Sequence, residues 1–364
     1  MDPSIPTTTD YLCRFPFEKA EILSNGDVHL CCAGWLPQVV GSVREKSIAE
    51  VWNSAAAQAI RQKIGRGDFS PCRADLCPHL TSLRNAERPA PWSPLVRRTE
   101  SRAVDQTVSV ESFLSPESSL FPREINCAFD ATCNLSCPSC RSDVIAHAAD
   151  SAPARWSERL VDEILEVLAR SPQQLRRLKI SGNGDPFASR AYRRLLKSLK
   201  AERHPQLRVT LHTNALLFTP ERWTEISAAH ALIDTIEVSI DAATSATYRR
   251  VRRGGEFAQL LPRLAFLAGL RQGRSFRRFI LSFVVQQENY REMSAFVDLG
   301  RHYQADVILF SQLNDWGSMS PEHFARAAIH RPSHPEYAEY RRLLDSADWR
   351  RASDVWLSNL PRSS

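Results

Sequence analysis

Long hydrophobic runs are missing from this chain: no segment approaches the roughly 20 apolar residues that a membrane-spanning helix needs. Its first ten residues, MDPSIPTTTD, lack the basic and apolar pattern of a secretory leader. Together these absences lead us to expect a cytoplasmic protein with no membrane partner. There is no internal repeat and no long low-complexity tract. Also lacking is a basic, aromatic-studded module of the kind that grips nucleic acid. The formal net charge of +6 comes mainly from arginine pairs, Arg176-Arg177, Arg193-Arg194, Arg249-Arg250 and Arg277-Arg278, which fall on separate expected elements. They read as solvated surface, which disfavours nucleic acid as a partner and RNA modification as a function.

What the chain does have is cysteine. Nine cysteines without a secretory signal point to metal ligation in a reducing compartment rather than to disulfides. Three of them, Cys133, Cys137 and Cys140, form a C-x3-C-x2-C run. Three thiols cannot close a tetrahedral site by themselves. Structural zinc takes four protein ligands, usually as two pairs, whereas short runs of thiolates hold iron-sulfur clusters, and a cluster held by three leaves one iron open. The run follows Ile125–Asp130, an extended apolar segment that reads as a strand, so the ligands sit where α/β barrels place their chemistry. A zinc knuckle is the alternative.

Four more thiols gather in the N-terminal part. Cys13 precedes a hairpin signal in which Asn25-Gly26 separates two short apolar strands, and both turn residues are expected at positive φ. The second strand delivers Cys31 or Cys32 to its end; neighbours on a strand point to opposite faces, so the choice stays open. Residues 47–63 read as one amphipathic helix capped by Ser47 and Glu50. Cys72 and Cys77 follow in a loop with Pro71 and Pro78. Cys13, Cys31, Cys72 and Cys77 make the four thiolates needed to close a cluster, with structural zinc again the alternative.

From Arg123 onward strand-like and helix-like segments alternate, the mark of a parallel sheet with crossover helices. Strands are expected near 124–130, 176–181, 207–213, 234–240, 279–286 and 306–311, and helices near 156–170, 187–201, 220–230, 256–272 and 288–303. Six βα repeats make a partial (β/α)6 TIM-like barrel, an α/β fold preceded by a small hairpin-plus-helix module. The expected divisions are residues 1–80 for that module, 81–119 for a linker, 120–317 for the barrel and 318–364 for a helical extension. Polar groups cluster after the strands: Gly182-Asn183-Gly184-Asp185, Thr213-Asn214, Ser239 with Asp241, Arg252 in the stretch Thr247–Gly255, and Asp315 beside Trp316. Asp315 is a candidate catalytic base.

These features in this order resemble the radical S-adenosylmethionine (radical SAM) superfamily. Its signature is the C-x3-C-x2-C loop after the first strand of a partial barrel, although an aromatic residue usually stands where this chain has Ser139. Gly182–Asp185 is similar to the family's GGE motif with Asp for Glu, Thr213-Asn214 to its TNG turn with Ala215 for glycine, and Ser239-Ile240-Asp241 to its SxD motif. The resemblance implies a [4Fe-4S] cluster on Cys133, Cys137 and Cys140. It implies S-adenosylmethionine (SAM) contacts from Gly182, Asn183, Gly184, Asp185, Thr213, Asn214, Ser239, Asp241 and Arg252. The N-terminal segment resembles the SPASM/Twitch module, which family members usually carry after the barrel, and this implies a second, auxiliary [4Fe-4S] cluster.

The function so implied is reductive cleavage of SAM to a 5′-deoxyadenosyl radical that abstracts a substrate hydrogen. A sugar or aminocyclitol is the expected substrate, a ribosomal peptide or protein the alternative, and a flavodoxin-type or other low-potential donor the expected electron source. A non-catalytic iron-sulfur or zinc protein is the reading from another class.

Overall fold

The computed structural model describes residues 11–84, 93–97 and 120–360. It divides into two compact units, one within Met1–Phe129 and Asp162–Lys179, the other within Asp130–Val161 and Ile180–Ser364.

In the first unit β1 (Tyr11–Cys13) is followed by the expected hairpin of β2 (Lys19–Leu23) and β3 (Asp27–His29), with β4 (Gly41–Ser42) antiparallel to β3. The turn differs from expectation. Only Gly26 is left-handed, with φ of 97°, while the Asn25 side chain accepts the Asp27 N–H at 3.0 Å. Ser24 adds a third loop residue, and in such a loop a single left-handed residue suffices. Within the stretch read as a linker, β5 (Leu95–Arg97) pairs antiparallel with β1, placing Leu95 opposite Cys13. β6 (Glu124–Ala128) runs parallel to β2, and β7 (Arg177–Ile180), whose last residue belongs to the second unit, follows in the chain.

The single helix expected over 47–63 is two, Ile48–Trp52 and Ala55–Gly65. The capping box is present, with the Ser47 N–H donating to Glu50 at 2.8 Å and the Glu50 N–H to the Ser47 hydroxyl at 3.2 Å. Asn53 and Ser54 break the run because both side chains bond the backbone themselves. The Asn53 amide donates to the Ala49 carbonyl, and Ser54 caps the second helix by accepting the Ala57 N–H.

The second unit contains four parallel strands neighbouring one another in chain order: β8 (Arg208–Thr213), β9 (Ile233–Ser239), β10 (Arg278–Val285) and β11 (Val307–Gln312). Helix Arg190–Ser198 leads into β8, and Ser245–Val251, Phe257–Gln272 and Met293–His302 lie between the later strands. The helix expected near 220–230 is a short α-helix, Pro220–Thr224, followed by a 3-10 turn at Ser227–Leu232. On the helix side, Phe283 lies 4.8 Å from Phe296 and 5.4 Å from Phe310 between ring centroids, an aromatic cluster that fixes β10 and β11 against Met293–His302.

The C-terminal segment is not wholly helical. After helices Pro321–Ala327 and Tyr337–Ser346 it adds β12 (Val355–Leu357), parallel to β11. Val-Trp-Leu favours extended chain, and the edge of β11 offers partners: Ile308 N–H donates to Asp354 O at 2.8 Å and Ser358 N–H to Phe310 O at 2.9 Å. Parallel strands joined by crossover helices make this a partial α/β barrel fold. No helix among the described residues is long and apolar enough to cross a membrane.

Candidate cluster and cofactor site

The loop that carries the three spaced cysteines is pinned before it begins. Asp130, buried, accepts from the Thr132 N–H (2.9 Å) and hydroxyl (2.6 Å) and from the Ser189 hydroxyl (2.6 Å), while its own N–H donates to Tyr192 Oη at 2.8 Å. From the other side Arg253 donates through Nε to Ser136 Oγ at 3.1 Å and through its guanidinium to Ser142 O, and the Ser136 N–H returns to Arg253 O at 3.0 Å. The loop is thus held at both ends by groups distant in sequence.

Each of the three thiols meets a different nitrogen-bearing side chain. The Asn214 amide lies 3.7 Å from Cys133 Sγ and Arg252 Nη1 3.7 Å from Cys137 Sγ, while Arg141 brings Nε and Nη2 to 3.4 and 3.3 Å from Cys140 Sγ. Burial pushes the Cys133 thiol up to about 11 and raises that of Cys137, against which the Arg252 charge works. Metal coordination requires the thiolate, and N–H donors stabilise sulfur that carries negative charge, so this donor set fits a cluster held by three cysteines. Cys140 is the exposed member of the three.

The strand-end residues explain how those donors are aimed. Asp185 is fully buried, and both its oxygens are engaged. One accepts Thr213 Oγ1 (2.7 Å) and the Asn214 N–H (2.9 Å), the other the Phe187 N–H (2.9 Å). It therefore fastens the turn that presents Asn214. Gly184, with φ of 92°, lies so close to the loop that a Cβ would stand 2.4 Å from Asp130 O; the approach that demands glycine here is to the chain itself. Ala215 takes φ of 64° where the resembling turn has glycine. Asp241 is buried and left-handed. It accepts the Val284 N–H at 2.8 Å and pairs with Arg252 at 2.7 Å, which raises the Arg252 guanidinium and turns it towards Cys137. Ser239 Oγ lies 2.7 Å from His212 Nε2. Asn183 Oδ1 accepts from Arg141 at 2.6 Å, and the Arg141 guanidinium also reaches Ala131 O.

In the first unit Cys13, Cys31, Cys72 and Cys77 line one pocket, otherwise walled by His79 and by apolar side chains that include Phe15, Trp35 and Phe69. Cys31 faces it; Cys32 is not among its walls. Burial raises all four thiols, and in Cys13, Cys31 and Cys72 the charges of neighbouring cysteines add to the effect. Four such thiols around an apolar cavity suit a cationic metal centre that lets them ionise together. They line walls instead of meeting at a point, and among the described residues no group of three or more His, Cys, Asp or Glu is placed to hold a single ion.

Sequence reading missed three contributors. Arg141 carried a weak signal, standing directly after the last cysteine of the run. Arg253 hid in a run of arginines. His79 lies against the four-cysteine pocket, edge-on to Phe15 and Trp35 and held by Ser93 at 3.4 Å. Asp315 follows the carboxyl end of β11, exposed on a turn where it accepts the Gly317 N–H at 2.8 Å.

Comparison with known families matches residues 13–78 to the SPASM iron-sulfur cluster-binding domain and residues 130–300 to the radical SAM superfamily. No curated protein matches the sequence. Among solved structures, Streptococcus suis SuiB bound to S-adenosylmethionine shares 12% identity over 65% of this chain and 50% of its own, with a TM-score of 0.45. SuiB bound to its precursor peptide SuiA shares 14% over 73% and 55%, with a TM-score of 0.42. The enzyme anSMEcpe with bound AdoMet and the Kp18Cys peptide shares 15% over 56% of each chain, with a TM-score of 0.37. The chain spans about half the length of these structures. A radical SAM domain binds a [4Fe-4S] cluster and SAM, and a SPASM domain carries additional iron-sulfur clusters.

Proposed function

We propose, from the premise that this chain belongs to the radical SAM superfamily and carries a SPASM-type cluster domain, that it cleaves SAM reductively and removes a hydrogen from a small polar substrate such as a sugar or aminocyclitol. The observation that supports this best is the gathering of groups onto one cysteine loop: Asn214 at Cys133, Arg252 with Asp241 at Cys137, and Arg141 with Asn183 at Cys140. A protein that merely stored a cluster would not need the glycine loop, the turn and the Asp–Arg pair to meet there.

When bound, the cluster and SAM supply the 5′-deoxyadenosyl radical that abstracts hydrogen. The chain's own part is to hold and orient. Cys133, Cys137 and Cys140 would hold the SAM-binding cluster. The Gly182–Gly184 backbone, Asn183 and Ser239 contact SAM. Asp185 and Thr213 fix Asn214, and Asp241 fixes Arg252. Cys13, Cys31, Cys72 and Cys77 hold the auxiliary cluster, and a flavodoxin-type or other low-potential donor supplies the electron. Asp315, exposed on its turn, is assigned no part.

The test is anaerobic reconstitution with iron and sulfide, iron counting, and an assay for 5′-deoxyadenosine with SAM and dithionite, run beside a Cys133→Ala, Cys137→Ala, Cys140→Ala variant. Two clusters' worth of iron in the wild type, one in the variant, and deoxyadenosine from the wild type alone is the expected result. Bound zinc in place of iron, or no deoxyadenosine, overturns the reading.

A further inference from the structure

A parallel strand covered on both faces is apolar nearly throughout. Three strands of the second unit break that rule on one face only. Val209 and Leu211 of β8, Ile236 and Val238 of β9, and Leu281 and Phe283 of β10 are all buried and apolar. The alternate positions are Thr210 and His212, then Thr235, Glu237 and Ser239, then Ser282. Register sets Thr210 beside Thr235, His212 beside Glu237, and Ser239 beside Ser282, so the six form one continuous polar patch.

The patch is bonded within itself. His212 Nε2 lies 2.7 Å from Ser239 Oγ and 3.5 Å from Glu237 Oε1, and Ser282 Oγ donates to Ser239 Oγ at 3.4 Å. Thr235, Glu237 and Ser282 are buried, while the His212 side chain keeps 27% of its surface exposed, so the patch can be reached. Burying hydroxyls and a carboxylate costs free energy that apolar side chains at the same positions would not, and such local rule-breaking marks functional surfaces. Its place is telling. His212 stands two residues before Asn214, which meets Cys133, and Ser239 two residues before Asp241, which aims Arg252 at Cys137. Two residues of strand span about 7 Å.

We propose that this patch is the substrate subsite and that it takes a small polyhydroxylated amine. Substrate hydroxyls bond to His212, Thr235 and Ser282, Ser239 keeping its contact with SAM, and the ammonium group sits against the Glu237 carboxylate. Ile280 is the one apolar side chain set into the row, and Val307 and Leu309 of β11 border it beside Ile280 and Ser282. The inference rests on the radical SAM reading and deepens it by naming the residues that bind the substrate.

Equilibrium dialysis of glucosamine and of myo-inositol against the reconstituted full-length protein with SAM tests it, using wild type, Glu237→Gln and Ser282→Ala. Iron content and circular dichroism establish that each variant is folded. Glucosamine is expected to bind the wild type, and Glu237→Gln to weaken it about tenfold, as loss of a charge-assisted bond does, while changing myo-inositol binding by less than about threefold. Ser282→Ala is expected to weaken both ligands about threefold to fivefold. Failure of both polyols to bind wild type, or undiminished glucosamine binding in both variants, overturns the proposal. If the same preparation forms deoxyadenosine, only the substrate inference falls; if it forms none, the radical reading falls with it.

Discussion

Replacing Gly184 by alanine tests how the cysteine loop is seated. The φ of 92° costs an L-residue about 1–2 kcal/mol. The new Cβ would also stand 2.4 Å from Asp130 O and 2.8 Å from Thr132 O. Neither carbonyl moves freely, because the Thr132 carbonyl accepts the Asp185 N–H at 2.9 Å and the Asp130 N–H is held by Tyr192. Forcing that backbone apart adds about 1–3 kcal/mol, for a total of about 2–5 kcal/mol. Gly317 supplies the control: its φ is 80° but nothing lies within 4 Å of its would-be Cβ, so Gly317→Ala carries the conformational cost alone. Urea unfolding followed by circular dichroism separates the two. With a slope of roughly 3 kcal/mol/M, Gly184→Ala should unfold at a urea concentration roughly 0.3–1 M lower than Gly317→Ala. It should also lose iron at the Cys133–Cys140 loop. Equal midpoints in the two variants would refute the claim that backbone contact, and not the dihedral angle, is what requires glycine.

Three further outcomes are expected. Cys31→Ala should lose one cluster's worth of iron and of visible absorbance on reconstitution whereas Cys32→Ala retains both clusters, because only Cys31 lines the four-thiol pocket; equal loss in the two would place the ligand wrongly. Arg141→Met removes two N–H donors from Cys140 Sγ, so the cluster in that variant should need a more negative potential for reduction in an electron paramagnetic resonance titration, with activity down roughly 10–100-fold, and an unchanged potential would count against the role of those bonds. Burial pushes His79 down to about 4, so between its ordinary value near 6.5 and about 4 the unfolded chain binds more protons than the folded one. The neutral ring's contribution is intact above about 6.5 and is lost as pH falls, by about 3 kcal/mol in total, and His79→Phe should flatten that acid limb of the urea midpoint against pH.

The sequence by itself determined the spacing of the cysteines, the Ser47–Glu50 cap and the alternation of strands and helices from Arg123 onward. All three are local, since thiol spacing is covalent, a capping box spans four residues, and the periodicity of a strand or helix is read within one element. Local reading faltered where competing local bonds decide, as at Asn53-Ser54, and where a strand forms because an edge awaits it, as at Val355–Leu357. Only the tertiary structure decided that Cys31 and not Cys32 faces the pocket, that Asp185 and Asp241 spend their oxygens on the chain, and that His212, Glu237, Ser239 and Ser282 share one face. It alone brought Asn183 to Arg141 across 42 residues, Asn214 to Cys133 across 81, and Arg252 to Cys137 across 115. No local pattern encodes those pairings: a donor's partner at that separation is set by which strands neighbour one another and in what register, and that is settled only when the whole sheet forms.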